Sequence, residues 1–107
     1  MLPKKNRADT KTVEKIFKVG RFLNSPSLTF KFILNQGNNK KISFIAPKSI
    51  AKLAVKRNFL RRRGYNVLQK YLKDFPDGIL GVFIFRKLED NVLILENEIK
   101  NILSKIN

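Results

Sequence analysis

The stretch that decides the fold is APKSIAKLAVKRNFLRRR, residues 46–63. A segment of alternating apolar residues comes directly before it, and Pro47 ends that segment because proline cannot donate a hydrogen bond to a sheet. The pattern beyond this proline predicts a long helix over about 50–73, opened by Lys48 or Ser49. A strand that leads through a short turn into a long basic helix is therefore the central unit of the predicted domain.

The predicted long helix has two different faces. At 3.6 residues per turn, the core stripe centred on Leu60 includes Leu53, Gly64, Val67 and Tyr71. A glycine inside a helix costs about 1 kcal/mol relative to alanine, so Gly64 predicts a close approach of the sheet. The side opposite the stripe carries Asn58, Arg62, Tyr65 and Gln69, with Arg61 at its edge.

The segments on either side predict the remaining elements. A short helix is expected over 10–19, with Asp9 or Thr10 as its cap and Gly20 as its stop. Strands are predicted over 28–34, 41–46 and 79–85, Phe22 and Leu23 allow a short additional strand, and a last helix runs from Asp90 or Asn91 to about 106. The resulting order, α-β-β-β-α-β-α, predicts one α+β domain over 9–107, preceded by a flexible basic arm over 1–8.

The charge along the chain is one-sided. The 107 residues include 23 Lys or Arg and 8 Asp or Glu, which gives a net charge of +15. From Lys15 to Lys73 there are fifteen basic residues and no acidic one. Residues 1–73 carry a net charge of +17, and residues 74–107 carry −2. A folded domain with such an unbalanced charge is expected to bind a nucleic acid.

The composition also excludes several classes of function. The chain contains neither Cys nor His, so a disulfide framework, a thiolate nucleophile, a zinc knuckle and histidine acid–base catalysis are all excluded. Two-metal phosphodiester cleavage needs clustered carboxylates, whereas the few acidic residues are scattered. No apolar run approaches the roughly 18 residues of a membrane span, and the N-terminal charges are not followed by the apolar segment of a signal peptide. We expect a cytoplasmic protein with no catalytic residues and no metal site of its own.

The basic residues of the long helix and its preceding turn are the candidates for RNA contact. Arginine suits this role because its planar fork forms paired hydrogen bonds with phosphate and stacks on bases. Asn58 adds a neutral donor and acceptor among the cations. The RNA-binding residues predicted from this pattern are Lys48, Lys52, Lys56, Arg57, Asn58, Arg61, Arg62 and Arg63.

Within this stretch, AVKRNFLRR (54–62) resembles the signature helix of the protein component of bacterial ribonuclease P. The family pattern runs Ala-Val, any residue, Arg-Asn, two residues, then Lys or Arg followed by Arg. ISFIAPK (42–48) resembles the strand and the Lys-containing turn before that helix, and ILGVFIFRK (79–87) resembles the last strand of the family. LPKKNR (2–7) and IFKVG (16–20) fit as well, so the resemblance covers essentially the whole chain.

The resemblance implies both a fold and a mechanism. The fold is a two-layer α/β sandwich like domain 2 of ribosomal protein S5, with a left-handed crossover joining the third strand, the signature helix and the last strand. In the mechanism, a large RNA subunit with bound Mg²⁺ hydrolyses precursor tRNA at its 5′ side. The protein binds that ribonuclease P RNA and the single-stranded 5′ leader of the precursor tRNA. A monomer in a complex of one protein with one RNA is expected.

The resemblance also implies roles for individual residues. Arg57, Asn58, Arg61 and Arg62 would contact the catalytic RNA, with Lys48 and Lys52 beside them. The leader would lie in a cleft between the first helix and the sheet. The leader-binding candidates are Val13, at which the family usually has an aromatic residue, together with Phe17, Phe30 and Phe32. Tyr65 stands where the family has a later arginine, and the resemblance therefore adds it to the predicted RNA-binding residues.

Other functions remain as alternatives. The main one is a ribosomal protein or another structured-RNA binding protein without a role in cleavage, since any phosphate-binding domain has a similar composition. The spacing of the Ala-Val-x-Arg-Asn motif after a strand argues against it. A membrane-surface protein would need a free amphipathic face, and the apolar stripes are needed for the core. A nuclease acting without RNA would need histidines or clustered carboxylates, which the chain lacks.

Overall fold

The computed structural model describes residues 6–106. In chain order the elements are α1 (Thr10–Val19), β1 (Arg21–Asn24), β2 (Leu28–Leu34), β3 (Lys41–Ile45), α2 (Ala54–Tyr71), β4 (Ile79–Phe85) and α3 (Val92–Ile106), with a 3₁₀ turn at Leu72–Asp74 after α2. The predicted α+β class and the order α-β-β-β-α-β-α are confirmed. None of the helices in residues 6–106 is long and apolar enough to cross a membrane.

The four strands form one mixed sheet in the order β1-β2-β4-β3. The β1–β2 and β2–β4 pairs are antiparallel, whereas β3 and β4 are parallel. Parallel neighbours need a crossover connection, and α2 supplies it between β3 and β4. The left hand of this crossover, which the resemblance implies, stays a prediction.

One face of the sheet carries the aromatic core. The Phe83 ring stacks on Phe30 and on Phe44, with ring centroids 4.3 and 4.9 Å apart. Helices α2 and α3 cover this face with buried residues that include Leu60, Leu68, Leu95, Ile99 and Ile102. Fully burying one such aliphatic side chain contributes about 1.5–3 kcal/mol, so this layer is the main source of stability.

Phe30 and Phe32 belong to this core and not to a cleft. They are 0% and 3% exposed, and their rings are stacked 5.3 Å apart. Successive residues of a strand point to opposite faces, and these two point toward α2 and α3. The prediction that they bind a leader beside the first helix is therefore wrong.

Gly64 confirms the predicted close approach of helix and sheet. A Cβ atom at this position would lie 2.5 Å from Cε1 of Phe44. Real Cβ atoms do not come so near to a ring carbon, so only glycine allows α2 to pack at this distance. The loss of helix propensity at Gly64 is offset by burial of the Phe44 ring.

The other face of the sheet carries α1. Lys31 and Val82 are paired neighbours on β2 and β4 and alternate with the core phenylalanines. Helix α1 packs against these two strands, and Ile16 of α1 and Val82 are both fully buried. Asp9 caps the start of the helix by accepting a hydrogen bond of 2.8 Å from the Thr12 N–H. Gly20 directly follows its last residue, Val19, and both were predicted.

Helix α2 starts later than predicted. The Ile50 and Ala51 N–H groups both donate to the Pro47 carbonyl, at 3.0 and 3.2 Å, and this closes a turn that occupies the segment assigned to the first helical turn. Leu53 consequently precedes the helix and is 69% exposed, so its predicted place in the core stripe is wrong. The helix begins at Ala54, the first residue of the signature pattern.

Tyr65 was expected on the side of the helix opposite the core, and this prediction is wrong. Its side chain is only 6% exposed, and its hydroxyl accepts a hydrogen bond of 3.1 Å from the Phe44 N–H. Since β3 is at the edge of the sheet, this backbone N–H lacks a strand partner on its outer side. The Tyr65 hydroxyl supplies the missing acceptor for this N–H, and the phenol ring is buried as a result.

Residues 6–8, which were predicted as part of a flexible arm, form hydrogen bonds with the edge of the sheet. Asn6 donates from Nδ2 to the Lys40 carbonyl at 3.0 Å, and the Ser43 hydroxyl donates to the Ala8 carbonyl at 3.0 Å. Residues 6–8 therefore lie beside β3, and the flexibility of the arm stays a prediction. Residues 1–5 lie outside the described residues.

Candidate nucleic-acid interface

A groove of about 670 Å³ runs between α1, β3 and α2. Strand β3 forms its floor, and the two helices form its walls. Its lining residues are Arg7, Ala8, Asp9, Thr10, Val13, Glu14, Phe17, Ser43, Phe44, Ile45, Asn58, Arg61, Arg62 and Tyr65. We call this cavity the main groove.

Phe17 provides an aromatic surface in the main groove. Its side chain is 43% exposed, and the ammonium group of Lys31 lies 5.0 Å from the centre of its ring. Val13, one helical turn earlier, is half-buried and lines the same wall. The two leader-binding candidates on α1 are thus brought together, beside a cation on the sheet.

The opposite wall of the main groove is formed by α2. Asn58, Arg61 and Arg62 lie there, and Arg61 donates from Nη2 to Oδ1 of Asn58. The sequence predicted one set of residues for the catalytic RNA and another for the leader. In the structure, members of both sets line a single cavity, with an aromatic ring on one wall and guanidinium groups on the other.

Arg57 has a different environment from its neighbours. It is half-buried, and its Nη1 atom donates to the carbonyls of Ala51 and Lys52, at 3.0 and 2.8 Å. The guanidinium group therefore fixes the turn before α2, which also carries the exposed Lys48. Arg57 positions the predicted lysines in addition to contributing its own charge.

Phe59 is a candidate that sequence reasoning missed. Lys56 Nζ lies 5.1 Å and Arg63 Cζ 4.8 Å from its ring centre, and Lys56 also pairs with Asp90 at 3.7 Å. A small groove of about 230 Å³ beside the ring is lined by Phe59, Arg62, Arg63 and Asn66. The available signal was an aromatic residue with basic residues three positions before it and four after it.

The main groove also contains residues outside the predicted set. Arg7 lines the groove, but it was not predicted as a site residue because it was assigned to a flexible arm. Two carboxylates, Asp9 and Glu14, line the groove as well. Hydrogen bonds from the backbone N–H and the hydroxyl of Thr12 hold the pKa of Asp9 below its ordinary value of 3.8, so Asp9 is ionised at neutral pH.

The carboxylates of the described part of the chain are dispersed. Within residues 6–106 there is no group of three or more acidic side chains that could hold a metal ion.

The mixed sheet, the arginine-rich crossover helix and the groove define the class: an α+β protein with a surface suited to nucleic acid. Comparisons with known proteins give the family. The sequence model of the Ribonuclease P family matches residues 2–107, and the chain belongs to this family. A sequence comparison with curated proteins gives no significant match.

Solved structures share the fold. The ribonuclease P protein of Thermotoga maritima is 20% identical, with a TM-score of 0.83 over 94% of this chain and 97% of that one. A ribonuclease P protein structure from Staphylococcus aureus is 14% identical, with a TM-score of 0.81 over 98% of this chain and 97% of the other. At this identity the likeness shows the fold alone. The family match supports a role as the protein subunit of ribonuclease P and does not favour the ribosomal alternative.

Proposed function

We propose that this protein binds both the catalytic RNA of ribonuclease P and the 5′ leader of precursor tRNA. It thereby assists RNA-catalysed, Mg²⁺-dependent endonucleolytic removal of the leader, which produces the mature 5′ end of the tRNA. The observation that carries the proposal is the main groove, in which the exposed Phe17 ring and the Arg61 and Arg62 side chains line one cavity. Proteins that bind single strands combine a stacking surface with a cationic groove in this way.

A single strand would use the two walls of the main groove differently. A base would stack on Phe17, and base–aromatic stacking contributes about 1–3 kcal/mol per base. The phosphates would lie toward Arg61 and Arg62, and Arg7 would neutralise charge at the side of β3. A stacking ring and guanidinium groups favour backbone and stacking interactions over base-edge readout, which suits leaders of different sequence.

The outer surface of α2 and the turn before it would contact the catalytic RNA. This surface carries Lys48, Lys52, Lys56, Arg57 and Arg63. Its cations would replace counterions along an RNA backbone, and binding should therefore weaken steeply as salt is raised. Phe59, flanked by two cations, would add a stacking position on the same surface.

The chemistry would belong to the RNA subunit. Mg²⁺ would be held mainly by that RNA, and we assign no catalytic step to the protein because its described carboxylates do not cluster. The protein would act as a monomer in a cytoplasmic complex of one protein with one RNA. Its contribution to the endoribonuclease is binding and positioning of the substrate.

Phe17→Ala tests the leader-binding part of this proposal. We expect the variant holoenzyme to bind leader-bearing precursor tRNA about 1–3 kcal/mol more weakly and to bind leaderless tRNA like the wild type. Phe17→Tyr keeps a ring and should retain the affinity. Leu93→Ala, which truncates a residue on α3 that is 71% exposed, serves as the control. Equal losses for both tRNA substrates would show that Phe17 only supports the fold.

A further inference from the structure

A second groove, of about 380 Å³, lies along the other side of α1. Lys11 and Lys15 line it from the helix, and Lys41 lines it from the start of β3. The turn between β2 and β3 adds the amide side chains of Asn35 and Asn39. None of the residues that line this groove is acidic, in contrast to the main groove.

The two grooves are separated by the body of α1. Lys11 and Lys15 are one turn apart on one side of the helix, and Val13 and Phe17 are one turn apart on the other. Between them, Ile16 is fully buried against the sheet. A helix with its side chains is about 10 Å across, so one short stretch of RNA cannot occupy both grooves at once.

The wall of the second groove is structurally fixed. The Asn35 N–H donates to the Gly78 carbonyl at 2.9 Å, which joins the β2–β3 turn to the turn before β4. Gly37 and Gly78 have φ angles of 120° and 81°, which side chains rarely adopt. Lys40 is turned away, because its ammonium group donates to the carbonyls of Leu72 and Lys73. The backbone of these two turns thus forms a joined wall for the second groove.

The chemistry of this groove fits phosphate. Lysine presents a compact charge with three donors, and the asparagine amides add neutral donors. No aromatic ring lines the groove, so it offers no stacking surface for a base. We propose that it binds the phosphodiester backbone of a second RNA segment, apart from the one in the main groove. This inference rests on the proposed function, and the segment is either the distal leader or a part of the catalytic RNA.

The test compares two double variants with the same loss of charge. Lys11→Gln with Lys15→Gln alters the groove, and Lys100→Gln with Lys105→Gln alters exposed positions of α3. Affinity is measured at several salt concentrations for the catalytic RNA alone. It is then measured for the holoenzyme with precursor tRNAs that carry short or long leaders. We expect the groove variant to reduce the salt-dependence slope by about 1.4, if the segment is single-stranded, to about 1.8, if it is a duplex, for one of these RNAs, with no change for the control.

The RNA that shows the reduced slope identifies the segment. A change with the catalytic RNA alone assigns the groove to that subunit, and a change only with long leaders assigns it to the distal leader. Identical slopes for the two double variants on every RNA would overturn the inference while leaving the proposed function intact. A wild-type protein that binds none of these RNAs would instead overturn the proposed function.

Discussion

At the scale of single residues, Arg57 and Arg62 have different roles within one motif. Arg62 is exposed on the wall of the main groove, whereas Arg57 holds two carbonyls of the preceding turn. We expect Arg62→Ala to weaken holoenzyme binding of leader-bearing precursor tRNA by about 1–3 kcal/mol without changing the unfolding midpoint. Arg57→Ala should lower both the affinity for the catalytic RNA and the midpoint. Filter binding and thermal unfolding of the two variants check this difference.

Two results would contradict these roles. If Arg62→Ala bound RNA like the wild type, the α2 wall of the main groove would not contact RNA. If Arg57→Ala unfolded at the wild-type temperature, its hydrogen bonds to Ala51 and Lys52 would not order the turn in solution. Arg57→Lys separates charge from geometry, because lysine keeps the charge but lacks the planar fork.

Gly64 allows a second prediction at this scale. Alanine is favoured over glycine in a helix by about 1 kcal/mol, but its Cβ would displace the Phe44 ring, and overpacking costs typically about 1–3 kcal/mol. Because Phe44 is packed between Phe83 and Tyr65, we expect Gly64→Ala to lower the free energy of unfolding, as measured with urea. Asn66→Ala, at an exposed position two residues later, is the control. A Gly64→Ala protein more stable than the wild type would mean that the ring has room to move.

At the scale of elements, the Asp9 cap links pH to the helix that separates the two grooves. Hydrogen bonds from Thr12 lower the pKa of Asp9 in the folded protein. The unfolded chain therefore takes up the proton first as pH falls. The stabilisation is present above the ordinary value of 3.8 and is lost as pH decreases through the lower folded pKa.

Asp9→Asn isolates this contribution, because asparagine also caps helices but does not titrate. We expect the wild type to lose stability relative to this variant as pH falls below 3.8, in urea unfolding at a series of acidic pH values. Other carboxylates titrate equally in both proteins and cancel in the difference. A difference that stays constant with pH would show that the Asp9 carboxylate is not stabilised by Thr12.

The elements also show what sequence patterns can and cannot define. Strands β2 and β4 were predicted with their observed bounds, since apolar runs bordered by turn residues leave little freedom. The start of α2 was misplaced because the hydrogen bonds to Pro47 close a turn that propensities do not distinguish from a first helical turn. Alternation correctly placed Phe30 and Phe32 on one face of β2. Alternation does not show which helices cover that face. The prediction therefore placed the two rings beside α1, whereas they pack under α2 and α3.

At the scale of the whole molecule, the arrangement of the grooves depends on topology. Phe17 and Arg62 are far apart in sequence and line one cavity because α1 lies on the face opposite α2 and α3, beside the edge strand β3. Periodicity within a segment carries no information on this long-range placement. The concentration of acidic residues after residue 73 is visible from the sequence alone, whereas the placement of Asp9 and Glu14 in the main groove and of Asp90 beside Lys56 is not.

The measurement that tests the central claim most directly is reconstitution. The protein is mixed with a bacterial ribonuclease P RNA and a leader-bearing precursor tRNA at near-physiological Mg²⁺, and the cleaved end is mapped. We expect the protein to stimulate cutting at the mature 5′ end, with Phe17→Ala reducing the stimulation and Leu93→Ala leaving it unchanged. Absence of stimulation with several RNA types, including the RNA of the host, would contradict the account. Cleavage by the protein without any RNA would contradict it equally.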